Sequence, residues 1–127
     1  MYFSVDCGLT SFKIPVGGAI NLTSPGYPRN YPDNVNCVYF VNVAEGYKLL
    51  TQFVDFDLEY GFDALRALDQ EDRPDRSDRH IFTGVNVPRN LTSQTSYFIF
   101  QFLSDGGVNS RGFHLMLSSI NVTGNIV

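Results

Sequence analysis

The chain has 127 residues, which fits one domain over 1–127 with its core over about 7–121. Its composition is 43% hydrophobic and 17% charged, less charge than the ~25% of an average domain, and that excludes a disordered chain. A net charge of -4 and a pI near 4.9 argue against a nucleic-acid binder, which needs a basic stripe, and against a polybasic membrane anchor. No apolar run approaches a membrane span.

The first residues, Met1 to Asp6, lack the basic start and apolar stretch of a signal peptide, so either a signal was removed or the chain is a module of a longer protein. Lys13 to Thr23 reads as a first strand, broken by Gly17-Gly18. Dense turn signals follow at Ser24-Pro25-Gly26, Tyr27-Pro28 and Tyr31-Pro32-Asp33-Asn34. Cys37 to Val43 alternates, with Cys37, Tyr39, Val41 and Val43 on one face. After the turn Ala44-Glu45-Gly46, the run Tyr47 to Phe56 sets Leu49, Thr51 and Phe53 against Leu50, Gln52 and Val54. Gly61 to Leu68 suits a short strand, or one helical turn at its Ala-Leu-Arg-Ala-Leu stretch.

Asp69 to His80 differs in kind. It holds five acids and three arginines and no large apolar residue, so it reads as a solvated mobile loop with partner contact as the alternative. Tyr97 to Leu103 is the strongest strand, with Phe98, Phe100 and Phe102 facing one way. A loop over 104–110 leads to a last strand, Gly112 to Ile120, which sets Phe113, Leu115 and Leu117 on one face and His114 on the solvent side. Strands about every ten residues and no long helix indicate an all-β antiparallel sandwich or barrel.

Two cysteines, Cys7 and Cys37, allow one bridge or two buried thiols. Asn21, Asn90 and Asn121 each open an Asn-x-Thr glycosylation signal. Ten Asn and seventeen Ser plus Thr give about 1.3 such signals by chance, so three is a mild excess. Signals and an even cysteine count together favour a secreted or ectodomain setting.

Enzyme signatures are missing. There is no nucleophile elbow, no zinc-protease helix motif, no phosphate loop and no dinucleotide fingerprint, and there are only two histidines. The carboxylates are the informative group. Asp55, Asp57, Glu59 and Asp63 cluster after the Tyr47–Phe56 run, and Asp105 follows the Phe-rich strand. Hard cations such as calcium want several oxygens, but the spacing is not that of an EF-hand, so loops would have to assemble the site. Ordinary surface acids are the plain alternative.

Several blocks together resemble a CUB domain. They are Cys7-Gly8, the run Gly18 to Pro32 containing Ser24-Pro25-Gly26-Tyr27-Pro28-Arg29-Asn30-Tyr31-Pro32, then Asn36-Cys37, Phe56-Asp57-Leu58-Glu59, Phe102-Leu103-Ser104-Asp105 and Arg111-Gly112-Phe113. The resemblance spans about 7–118. It implies a jelly-roll sandwich of roughly ten strands, extracellular, binding and not catalysing. It pairs Cys7 with Cys37 and places Tyr39 in the core where the family often has Trp. The family's second disulfide is missing, and the segment between Glu59 and Asp63 is short. Phe62 is expected to plug that end.

The resemblance also implies a calcium site. Its ligand set falls on Glu59, Asp63, Asp105, a carbonyl near Gly107, and Asn109, with the Tyr31 hydroxyl fixing a carboxylate or a water. In such modules the calcium-oriented acids grip a partner's Lys or Arg, which makes Tyr31, Glu59 and Asp105 the partner-binding residues. The expected function is thus an extracellular protein-binding module with a calcium-organised acidic site. A calcium-free structural or glycan-binding module, or a non-catalytic module of a secreted protease, are the alternatives. Neither nucleic acid nor a membrane span enters any of these readings.

Overall fold

The computed structural model describes residues 9–69, 80–93 and 96–121. The aromatic and β-branched runs become nine strands in that stretch: β1 (Leu9–Ile14), β2 (Ala19–Thr23), β3 (Asn36–Val43), β4 (Tyr47–Asp57), β5 (Ala64–Asp69), β6 (His80–Phe82), β7 (Leu91–Thr92), β8 (Tyr97–Leu103) and β9 (Gly112–Asn121). They form an all-β sandwich with one five-stranded sheet, ordered β1-β3-β8-β5-β6, and one four-stranded sheet, ordered β2-β9-β4-β7. No helix among the described residues is long and apolar enough to cross a membrane.

The single strand expected over Lys13–Thr23 is in fact two strands in different sheets. Pro15 to Gly18 closes a turn through Gly18 N–H to the Pro15 carbonyl at 2.9 Å, and Gly17 adopts φ 77° there. Glycine takes that left-handed conformation without a Cβ penalty, so the chain reverses and crosses the sandwich. As a result β1 lies parallel to β3, and every other pairing is antiparallel. The long connection through β2 supplies the crossover that a parallel pair requires.

The alternation read from the sequence sets the core. Phe98, Phe100 and Phe102 of β8 are buried, opposite Phe113, Leu115 and Leu117 of β9. Cys37, Tyr39, Val41 and Val43 complete the five-stranded side. Tyr39 is in the core as expected, and burial pushes its hydroxyl up to about 12. The reading of Gly61–Leu68 resolves to a strand beginning at Ala64.

One irregularity redirects the second half of β4. Phe53 pairs with Leu115, but Asp55 already pairs with His114, so Val54 is bulged. A bulge adds one residue to one strand and changes which residues face inward. Without it Asp55 and Asp57 would follow Leu49, Thr51 and Phe53 into the core. With it Phe56 and Leu58 enter the core, each about 1% exposed. Asp55 and Asp57 turn outward to Arg111, whose guanidinium grips Asp55 at 2.6 and 2.7 Å and Asp57 at 3.2 Å. Arg111 and the Tyr27 hydroxyl (2.6 Å) hold the Asp55 carboxyl far below the usual carboxylate range.

Only the ends of the acidic Asp69–His80 segment fall among the described residues. Asp69 closes β5 and His80 opens β6, while 70–79 lies outside the described residues. His80 stacks on Phe82. His114 is half-buried, with Nε2 2.9 Å from Asn21 Oδ1 and its ring edge-on to Tyr27. It lies on the outer face, as expected, and has partners there.

Candidate functional site

The site assembles at one end of the sandwich from three loops. The first is the proline-rich turn before β3. Tyr31 is fully buried, its ring edge-on to Phe102 at 5.0 Å, and its N–H donates to the Ser110 carbonyl. This packing aims the Tyr31 hydroxyl at Asp63 Oδ2, 2.5 Å away, and the Tyr31 hydroxyl oxygen accepts from Glu59 N–H at 3.1 Å. Burial, followed by the Asp63 bond, raises the phenol well above its ordinary pKa, so it stays protonated and donates.

The second loop is the turn Glu59 to Asp63. Both Phe62 N–H and Asp63 N–H donate to the Glu59 carbonyl, and Gly61 takes φ 81° at the tip. The short segment is therefore a tight turn that returns Asp63 beside Glu59. Thr83 fastens it: Oγ1 lies 2.7 Å from the Asp63 carbonyl and 3.1 Å from that of Glu59, and accepts from Gly61 N–H at 3.0 Å. Phe62 is 68% exposed and Tyr60 78% exposed, so the expected plug does not exist. Hydrogen bonds to Tyr31 and Thr83 close that end, and a turn this tight leaves Phe62 no route inward.

The third loop follows β8. Asp105 N–H donates to Asp63 Oδ1 at 2.9 Å, and the Asp105 carboxylate accepts from Gly107 N–H at 2.9 Å. Asn34, at φ 56°, donates its N–H to the Asp105 carbonyl. A Cβ placed on Gly107 would stand 3.3 Å from Asp105 Oδ1 and 3.8 Å from Glu59 Oε1, so Gly107 lies against the acids.

Carboxylate oxygens of Glu59, Asp63 and Asp105 thus lie within 4.8 Å of one another. Glu59 Oε1 is buried and has no hydrogen-bond partner. Desolvation, then the Asp105 and Asp63 charges, push the Glu59 carboxyl above its ordinary pKa. Opposite charge would reverse each of those penalties. An all-oxygen donor set suits a hard ion of flexible coordination such as calcium.

The sequence-derived site residues are not equally placed. Glu59, Asp63, Asp105 and Gly107 come together. Asn109 stands beside Tyr31, donating Nδ2–H to the Tyr31 carbonyl, with Oδ1 buried and unpartnered. Tyr31 positions Asp63 from within the core, so its assignment as a partner-contact residue is corrected: no part of it reaches the surface. Sequence reasoning missed Thr83, an isolated threonine with no motif around it, and the exposed rim of Tyr60 and Phe62. Cys37 is fully buried, and Cys7 lies outside the described residues. Asn21 and Asn90 are exposed, and Asn121 closes β9.

Comparison with known proteins places the fold in a family. The family model described as CUB domain matches residues 13–117. Tolloid-like protein 2 of Homo sapiens is 38% identical over 113 residues, covering 86% of this chain and 11% of that protein. Cubilin of Homo sapiens is 33% identical over 108 residues, covering 82% of this chain and 3% of that protein. The chain therefore spans about a tenth or less of these curated relatives. The MASP-1 CUB2 domain bound to Ca2+ superposes with a TM-score of 0.69 at 24% identity, over 83% of this chain and 95% of that one, a likeness of fold. With the two-sheet sandwich in place, the match over most of its length settles the family: the chain belongs to the CUB domains.

Proposed function

We propose that this chain is an extracellular protein-binding module whose acidic end is organised by calcium and receives a Lys or Arg side chain of its partner. The observation that carries this reading is the buried, unpartnered Glu59 Oε1 within a trio of carboxylates. Glu59, Asp63 and Asp105 would hold the ion, with Gly107 and Asn109 close by. Calcium would supply the positive charge that lets these acids ionise together. Three carboxylates against two charges leave one acid edge for a basic group. The exposed rings of Tyr60 and Phe62 flank Glu59 and Asp63 in the chain and offer faces for the stem or head of that side chain. A relative solved with Ca2+ supports the choice of ion.

Thermal melts in chelator and in excess calcium test this. Calcium at about a hundred times its Kd stabilises by about 2.7 kcal/mol, roughly a 10 °C rise at this size. Asp105→Asn is expected to remove most of that gain and to weaken partner binding with it. The pH dependence has a definite sign. The folded-state pKa of Glu59 is raised, so its protonated form favours the ion-free fold at low pH, and calcium must displace that proton. The gain in melting temperature therefore shrinks as pH falls from neutral through the raised Glu59 pKa. A wild-type melt indifferent to calcium would remove the metal from this reading and leave a calcium-free binding module.

Cys7 and Cys37 are proposed to be bonded. Only two cysteines exist, Cys37 is fully buried, and no free cysteine occurs among the described residues. In an oxidising compartment such a staple closing a loop of about thirty residues persists. Intact mass is expected to rise by two hydrogens on reduction of the denatured protein. An unchanged mass, with both thiols alkylated before reductant is added, would refute the bond.

A further inference from the structure

Among the described residues the two sheets have four edges, and three of them carry visible protection. On β1, Lys13 is exposed and Pro15 follows the strand. Among the described residues β6 and β7 are three and two residues long. Charge, proline and shortness are the usual means of keeping an unpaired edge from recruiting another strand. β2 has none of them. It is Ala19-Ile20-Asn21-Leu22-Thr23, five regularly paired residues without charge, proline or bulge. Among the described residues nothing pairs along its outer side. An uncharged, regularly paired edge of this kind is a template for a second copy of itself.

The exception on β2 is the glycosylation signal. Asn21 is the middle residue of the strand and is exposed, as is Thr23, while Leu22 between them is anchored in the core. Asn21 Oδ1 lies 2.9 Å from His114 Nε2, so one end of the amide is tied to β9. The other end, Nδ2, is the atom that carries an N-linked sugar. We propose that an oligosaccharide on Asn21 is the edge guard of β2, and that it keeps the module monomeric by blocking β2-to-β2 pairing between two copies. The inference rests on the extracellular reading, since the modification belongs to the secretory route. In the transfer, Nδ2 loses a proton and bonds to the anomeric carbon of a lipid-pyrophosphate-linked oligosaccharide. The lipid pyrophosphate leaves, and no electron changes hands. Asn90 and Asn121 do not bear this role: Asn90 adjoins a strand already too short to recruit, and Asn121 closes the central strand β9.

The test is site mapping and molar mass on the chain secreted from glycosylating cells. Wild type is expected to carry a glycan at Asn21 and to run as a monomer. Asn21→Gln and Thr23→Ala should double the molar mass by light scattering. Thr23→Ser, which keeps the signal, and Asn90→Gln and Asn121→Gln should leave it unchanged. If the unglycosylated variants are not secreted, the chain made in bacteria and its Asn21→Lys variant serve instead. The unmodified chain should dimerise, and the edge lysine should restore the monomer. An unmodified Asn21 in the secreted protein, a monomeric Asn21→Gln, or equal masses for the two bacterial chains would each overturn the proposal. The calcium melt stands apart: Asn21→Gln should keep the calcium response, and Asp105→Asn should stay monomeric.

Discussion

Replacing Phe100 by alanine is expected to cost about 3–5 kcal/mol of unfolding free energy. The ring is fully buried in β8, the middle strand of its sheet. Its cross-strand partners are Tyr39 on β3 and Ala67 on β5, and Phe98 meets it edge-on at 5.1 Å. The lost area removes the transfer term, and the cavity adds to it because the site collapses poorly. Tyr39 is fixed by its own burial and Ala67 carries only a methyl group, so neither fills the gap. Urea unfolding should show a lower midpoint at unchanged slope, the sign of lost stability with the same denatured state. A loss under about 1 kcal/mol would mean that the inward face of β8 is misassigned, since strand faces alternate with period two.

Gly112→Ala should cost about 2–4 kcal/mol, combining backbone strain with overpacking. Gly112 has φ 101°, where an L side chain is strained. A Cβ there would lie 1.9 Å from Ser24 Oγ and 2.9 Å from Ser24 Cβ. That hydroxyl cannot simply swing away, because it accepts from Phe113 N–H at 3.0 Å. The same Cβ would sit 3.4 Å from the Tyr31 ring, an ordinary contact, so the clash falls on Ser24. Thermodynamics of the pair Gly112→Ala and Ser24→Gly separates the two causes. In the Ser24→Gly background the steric part should vanish and only about 1 kcal/mol of conformational strain remain. Equal costs in both backgrounds would show that the close approach carries none of the effect.

The glycine also marks where two distant sequence blocks meet in the fold. Ser24 opens the proline-rich block and Gly112 sits in Arg111-Gly112-Phe113, and in the fold the two meet backbone to side chain. Their order and chemistry were legible in the sequence, but the contact between them was not.

Local alternation by itself determined the strands β3, β8 and β9 and their inward residues, because side-chain direction in a strand depends only on position parity. The resemblance to CUB domains, and not alternation, is what singled out the acids at 59, 63 and 105 beside a tyrosine and a glycine-rich turn. Tertiary structure alone decided three things. The bulge at Val54 reversed parity midway through β4, since pairing with β9 rather than propensity sets where a residue is skipped. The turn at Gly17 sent β1 and β2 into different sheets, because sheet membership depends on which neighbour supplies hydrogen bonds. Finally, Phe62 stayed outside while Thr83 closed the acidic end, because a turn held by backbone bonds to Glu59 leaves its tip residues facing water whatever their hydrophobicity.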